Sequence, residues 1–100
     1  MSSSHIRLIS PNTEFPQLVI SSSRLPVTLG RSKTADIQVL DPLVSRLQCR
    51  FEHEDGAVVV KDLHSKNGTV VNGSLIECCR LKAGDVLLLG NSEFVAQFDE

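Results

Sequence analysis

Four short stretches of this 100-residue chain combine cations with small hydrogen-bonding side chains. They are Gly30-Arg31-Ser32-Lys33, Ser45-Arg46, Ser65-Lys66-Asn67-Gly68-Thr69 and Asn72-Gly73. Three of them carry Arg or Lys, and none contains a carboxylate. Arginine offers a rigid planar fork of donors that matches phosphate or carboxylate oxygens. A serine hydroxyl adds a short donor, and an asparagine amide brings a donor and an acceptor together. Gathered in one place, these groups form a socket for a compact, multiply charged anion bearing several acceptor oxygens. Left apart, they are turns and solvated cations, which is what Ser, Asn and Gly commonly do in loops.

The elements between these stretches decide which outcome holds. The dominant period is two. HIRLIS (5–10) alternates, QLVI (17–20) and PVTLG (26–30) are short and β-branched, and QCRFEHE (48–54) alternates cleanly. That last alternation puts Cys49, Phe51 and His53 on one face and Gln48, Arg50 and Glu52 on the other. Asp55-Gly56 then leads into AVVVKDL (57–63), a strong hairpin signal. Asn67-Gly68 and Asn72-Gly73 mark two further tight turns around TVV, and DVLLLG (85–90) and EFVAQF (93–98) close the chain. The stretch 74–84 is ambiguous. Ser74 and Glu77 read as a helix capping box with Gly84 as a stop; the competing reading is two short strands, at Leu75-Ile76 and Arg80-Leu81. Many short strands with turns at close spacing imply an antiparallel β-sandwich, whose loops gather at the two ends of the sheets.

Bulk properties narrow the functions. One hundred residues make one domain, with a core expected over about residues 6–98. The net charge of −2 argues against general nucleic-acid binding, which needs a basic excess. The charge is uneven, with residues 1–50 at +3 and residues 51–100 at −5, so a local cationic site can sit on an acidic body. No apolar run approaches the roughly 18 residues of a membrane span, and the N-terminus lacks a signal-peptide core. Three cysteines, two of them adjacent, form no disulfide framework and point to a reducing compartment, cytoplasm or nucleus. Cys78, Cys79, His53 and His64 show no metal-ligand spacing, so neither a metal nor another cofactor is expected. Hydrolase sets built on Ser45, His64 and Asp62, or on Cys49 and His53, lack a nucleophile-elbow signature. An enzyme is therefore not expected.

The ordered set LGR (29–31), SR (45–46), SKNGT (65–69) and VNG (71–73) resembles the forkhead-associated (FHA) domain, over most of the chain. The resemblance implies an eleven-stranded β-sandwich whose loops at one end bind phosphothreonine peptides, with a phosphorylated protein as partner. Carried onto this chain, it makes Arg31 and Ser45 the phosphate contacts and Asn67 the residue that holds the ligand's main chain. Arg46 is divided between a second charge contact and a solvated side chain. Lys66 stands where many members have a hydroxyl residue and supplies long-range attraction; Lys33 is a further cation, with no role carried over. Asn72 is a turn residue that adds a peptide contact, and Thr69 packs or bonds locally. Gly30 is expected to supply a backbone geometry closed to other residues. The family usually places a histidine three residues after the serine to brace the loops. This chain has Gln48, which can donate and accept in the same way. The competing function is a phosphate-independent interaction module, acting through a sheet face or as a dimer.

Overall fold

The computed structural model describes residues 5–11 and 17–99. Among these, eleven strands build two sheets: β1 His5–Ile9, β2 Leu18–Ser21, β3 Val27–Gly30, β4 Ile37–Gln38, β5 Cys49–Glu54, β6 Ala57–Asp62, β7 Thr69–Val71, β8 Ser74–Ile76, β9 Cys78–Arg80, β10 Val86–Leu89 and β11 Ser92–Asp99. The six-stranded sheet runs β2-β1-β11-β10-β7-β8 and the five-stranded sheet β4-β3-β5-β6-β9. All pairings are antiparallel except the short parallel contact of β3 with β4. The only helical piece among the described residues is a 3-10 turn at Ser22–Arg24.

Alternation builds the core. Ile6 and Leu8 of β1, Leu29 of β3, Cys49 and Phe51 of β5, Val60 of β6, Leu87 and Leu89 of β10 and Ala96 of β11 meet between the sheets, nearly or wholly excluded from solvent. Each large aliphatic or aromatic side chain buried in this way contributes about 1.5–3 kcal/mol. Two turns adopt the expected hairpin chemistry. Asp55 and Gly56 both have positive φ (50° and 77°), as do Asn72 and Gly73 (51° and 84°), which is the backbone that a two-residue hairpin with right-twisted strands demands. The segment 74–84 holds two strands and no helix. Its second strand, Cys78–Arg80, starts two residues before the expected Arg80. Glu77 is the crossover between the sheets, and its carbonyl accepts the Asp62 N–H at 2.9 Å.

The outer faces of the sheets differ. On the five-stranded sheet, Glu52 accepts from Arg50 and pairs with Lys61 at 3.2 Å, and Lys61 also reaches Glu54 at 2.8 Å. On the six-stranded sheet, the register aligns Leu75, Val70 and Leu88 in one row and Val86, Val95 and Ile9 in another. That outer face holds an aliphatic patch, with Leu75 72% and Leu88 40% exposed, bordered by Glu93, Arg7 and Gln97.

Candidate functional site

The loop joining β4 to β5, residues 39–48, is fixed from three directions. On the first side it is stapled to the β3–β4 loop, because the Arg31 N–H donates to the Ser45 carbonyl at 2.9 Å and the Ser32 N–H to the Arg46 carbonyl at 3.0 Å. Gly30 makes this approach feasible, for a steric reason. A Cβ at position 30 would collide with the Arg46 carbonyl oxygen and lie 2.8 Å from its carbon and 2.9 Å from Leu47 Cα. The expected special backbone geometry is corrected here: Gly30 ends β3 and is absent from the positive-φ residues. What position 30 requires is the missing side chain.

On the second side stands Gln48. The alternation of β5 assigned it to the outer face with Arg50 and Glu52, but it is completely buried, because it precedes the strand and turns under the loops. Its Oε1 accepts the Ser45 N–H at 2.9 Å, and its Nε2 donates to the Gly68 carbonyl at 2.9 Å and to Thr69 Oγ1 at 3.1 Å. Thr69, also fully buried, donates its hydroxyl hydrogen bond to Asp62 Oδ1 at 2.7 Å. Asp62 in addition accepts the Ser65 N–H at 3.1 Å and the Ser65 hydroxyl. Burial pushes the Asp62 carboxyl up, but these bonds and the nearby His64 outweigh it and hold the pKa below the ordinary 3.8. The glutamine thus braces the β4–β5 loop against the β6–β7 loop.

On the third side is Asp41. Its Oδ1 accepts the Leu43 N–H at 2.8 Å, while Oδ2 accepts the Asn91 N–H at 2.9 Å and the Ser92 hydroxyl at 2.8 Å. The loop is thereby pinned to the β10–β11 turn. Burial again acts upward on this carboxyl, and the bonds from Leu43, Ser92 and Asn91 bring it below 3.8.

These braces aim the side chains. A cleft of about 500 Å³ is lined by Arg31, Ser45, Arg46, His64, Lys66 and Asn67, with Leu43 and Leu47 among its apolar walls. Arg31 Nε donates to the Val44 carbonyl at 3.0 Å, which orients the guanidinium and leaves its terminal nitrogens for a ligand. Ser45 Oγ accepts the Lys66 N–H at 2.8 Å, so the hydroxyl proton is left to donate elsewhere. Asn67 Nδ2 donates to the Leu43 carbonyl at 3.0 Å, which leaves Oδ1 to accept a main-chain N–H. Arg31, Lys33, Arg46 and Lys66 enter no ion pair among the described residues. Unpaired cations, an oriented hydroxyl and a fixed amide amount to an anion receptor with a main-chain clamp beside it. A slightly larger hollow of about 540 Å³ contains Arg24 and the carboxylate Asp36, and lacks that excess of donors.

Five of the six expected site residues line this one cleft: Arg31, Ser45, Arg46, Lys66 and Asn67. Asn72 does not. It occupies the turn at the far end of β7, where Nδ2 donates to Asp85 Oδ1 at 3.0 Å and Oδ1 accepts the Val86 N–H at 2.9 Å. Both ends of its amide are committed to the fold. Lys33 is exposed on the Arg31 loop, outside the cleft lining. His64 lines the cleft and carried no sequence signal for it. Of the residues in the hydrolase sets, Asp62 accepts from Ser65 and Thr69, and Ser45 Oγ accepts from the Lys66 N–H. Cys49 is a core thiol whose pKa is pushed up to about 12, first by burial and then by Asp62.

The FHA domain family model matches residues 27–90. In sequence the chain is 33% identical over 69 residues to the FHA domain-containing protein FhaA of Mycobacterium tuberculosis, a match covering 69% of this chain and 13% of FhaA. It is 36% identical over 72 residues to the oxoglutarate dehydrogenase inhibitor of Corynebacterium diphtheriae, covering 72% of this chain and 50% of that protein. In structure it matches, with a TM-score of 0.82, 26% identity and 99% coverage of both chains, an FHA domain solved in a study of phosphothreonine-dependent FHA domain interactions. The chain thus spans half or less of these curated relatives while carrying the strands and loops that define the fold, and it belongs to the FHA domain family.

Proposed function

We propose that this domain binds phosphothreonine-containing protein segments. The observation that carries the reading is the convergence of Arg31, Ser45 and Lys66, without a single carboxylate partner, in the cleft that Asn67 closes. Phosphate is the natural occupant, since at neutral pH it brings nearly two charges and three acceptor oxygens. Arg31 and the Ser45 hydroxyl take phosphate oxygens, Arg46 and Lys66 add charge at the rim, and Asn67 Oδ1 fixes the peptide backbone. The structurally similar domain with phosphothreonine-dependent interactions supports threonine as the bearer of the phosphate. Charge-assisted hydrogen bonds contribute about 1.5–3 kcal/mol each. Two or three of them, less the cost of ordering a peptide, give affinity near micromolar, about −8 kcal/mol.

The test is a titration of the domain with a threonine peptide library and its phosphorylated counterpart. Binding of the phosphorylated form alone is expected; equal binding of both overturns the reading. The unpaired state of Cys49, Cys78 and Cys79 supports a reducing compartment, cytoplasm or nucleus. The binding role is assigned to this domain; a longer protein containing it can carry other activities.

A second reading, association without phosphate, is favoured by the aliphatic patch of Leu75, Val70 and Leu88 on the outer face of the six-stranded sheet. Patches of this kind mark interaction surfaces. Sedimentation of the free domain beside Leu88→Glu tests it: a concentration-dependent dimer that the substitution abolishes supports association through this face, and a monomer at all concentrations removes the dimer.

A further inference from the structure

Strand β9, Cys78–Arg80, is one edge of the five-stranded sheet, and β6 is its neighbour there. In an antiparallel pair, residues that exchange both backbone bonds alternate with residues that exchange none. The Leu81 N–H donates to the Val58 carbonyl and the Asp62 N–H to the Glu77 carbonyl, each at 2.9 Å, on either side of the Val60–Cys79 pair. Residues 77, 79 and 81 therefore turn their backbone groups toward β6. Cys78 and Arg80, both exposed, turn theirs to the open edge. The sulfur of half-buried Cys79 leans to that same side, because its thiol donates to the outward-facing Arg80 carbonyl at 3.2 Å. A hollow of about 400 Å³ lies beside the strand, lined in part by Cys78, Cys79 and Arg80. An edge that presents free N–H and C=O groups is a template for another strand.

We propose that β9 pairs antiparallel with β9 of a second copy of this chain, about a twofold axis at Cys79, and that a disulfide between the two Cys79 residues locks the pair under oxidation. The edge is self-complementary in this register. Cys78 faces Arg80 of the second copy and Arg80 faces its Cys78, so every open N–H and C=O of the two strands finds a partner. Cys79 meets its counterpart across the axis in a non-hydrogen-bonded pair. The Cα atoms of such a pair stand about 4.5 Å apart, inside the roughly 4.4–6.8 Å that a disulfide spans. An axis at Cys78 would instead set Arg80 against Ile76, which belongs to the other sheet. On the outer face, Lys61 neighbours Cys78 and Val59 neighbours Arg80, so the junction puts no like charges directly opposite each other. A small disulfide of the glutathione class supplies the oxidation. The Cys79 thiolate attacks one of its sulfurs and expels one thiolate; Cys79 of the second copy then attacks the Cys79 sulfur of that mixed disulfide and expels the other. Two protein thiols are oxidised, the small disulfide is reduced to two thiols, and the protons lost by the protein balance those its products take up. β9 and the Arg31 loop lie toward opposite edges of the five-stranded sheet, so the dimer presents two open clefts. The proposal stands independently of what those clefts bind.

The experiment incubates wild type, Cys78→Ser, Cys79→Ser, Arg80→Pro and Cys78→Pro with oxidised glutathione and reads covalent dimer by non-reducing electrophoresis and intact mass. Wild type and Cys78→Ser should form a dimer that dithiothreitol reverses, with peptide mapping joining Cys79 to Cys79 and no glutathione retained. Cys79→Ser should stay monomeric. The two proline variants each remove an N–H that the fold leaves at the open edge, where proline is tolerated. They should melt close to wild type and dimerise about tenfold more slowly. A proline variant that dimerises at the wild-type rate overturns the strand pairing, and the second proline position serves if the first lowers the melting temperature. The proposal as a whole is overturned if wild type stays monomeric, if its disulfide links Cys78 to Cys79 within one chain, or if dimer survives in Cys79→Ser and is lost in Cys78→Ser.

Discussion

The Ser45 backbone N–H is held at 2.9 Å by the Oε1 of the buried Gln48, the residue that stands where the family usually has histidine. The same amide reaches the Gly68 carbonyl, so one side chain sets the distance between the loop that presents the serine and the loop that presents Asn67. A primary amide suits the position better than an imidazole in one respect: its acceptor and its two donor hydrogens serve three partners at once.

Gln48→Leu keeps the bulk and deletes all three bonds. It strands the Ser45 N–H, the Gly68 carbonyl and one bond of Thr69, and a buried polar group left unsatisfied costs about 1–3 kcal/mol. We expect a loss of about 3 kcal/mol in denaturant unfolding, with phosphopeptide affinity reduced tenfold or so as the loops drift apart. A midpoint equal to wild type would remove Gln48 from its bracing role.

Arg31→Ala should separate binding from folding. The side chain is exposed and its one intramolecular bond runs from Nε to the Val44 carbonyl. Removing it deletes charge-assisted contacts of about 1.5–3 kcal/mol each, enough to take micromolar binding beyond detection by calorimetry. The unfolding midpoint should move by less than about 0.5 kcal/mol, as for other surface substitutions. Full affinity in a folded Arg31→Ala domain would sink the assigned pocket.

The strands were legible because their information is local. Period-two alternation in 48–54 and 93–98, and the Asp-Gly and Asn-Gly turns, are properties of adjacent residues, and β5, β11 and two hairpins follow from them. β4 was not legible, since two residues in parallel contact with β3 leave no pattern. The pair β8 and β9 was legible as two short strands, although Ser74 and Glu77 imitate a helix cap; the start of β9 at Cys78 was missed, because Glu77 carries the chain from one sheet to the other. In the site, Arg31, Ser45 and Asn67 were found through motif order. Asn72 was grouped with them because Asn-Gly occurs at both ends of β7, and local chemistry does not say which end faces the cleft. The braces at Asp41 and the inward turn of Gln48 depend on contacts across the sandwich, which no alternation encodes.

Gly30→Ala tests whether the close approach of the two loops matters for binding. The added methyl meets backbone rather than a flexible side chain, so relief requires moving Arg46 and Leu47 away from β3. Overpacking of this kind costs about 1–3 kcal/mol. The displacement also pulls Ser45 out of register with Arg31, since their backbones share a hydrogen bond. Affinity should therefore fall by an order of magnitude or so although residue 30 offers no group to a ligand. A variant of normal stability and affinity would show that the loops can separate freely.

The acid limb of stability should be set by Asp41 and Asp62. Both carboxyls lie below the ordinary 3.8 in the folded protein, so each binds its proton more weakly folded than unfolded. The stabilisation they give is fully present above about pH 5 and is lost as pH falls through 3.8 toward the lower folded values. Unfolding midpoints should therefore be flat from about pH 8 to pH 5 with respect to these groups and drop steeply below about pH 4. Asp62→Asn keeps one acceptor oxygen but can no longer be charged, so its midpoint should begin lower at neutral pH and fall less on acidification. Phosphopeptide affinity should weaken at a higher pH than stability does, because the ligand's second proton binds near pH 6 while the loops are still held by ionised aspartates. If affinity and stability instead collapsed together below about pH 4, phosphate charge would not be the quantity that the cleft reads.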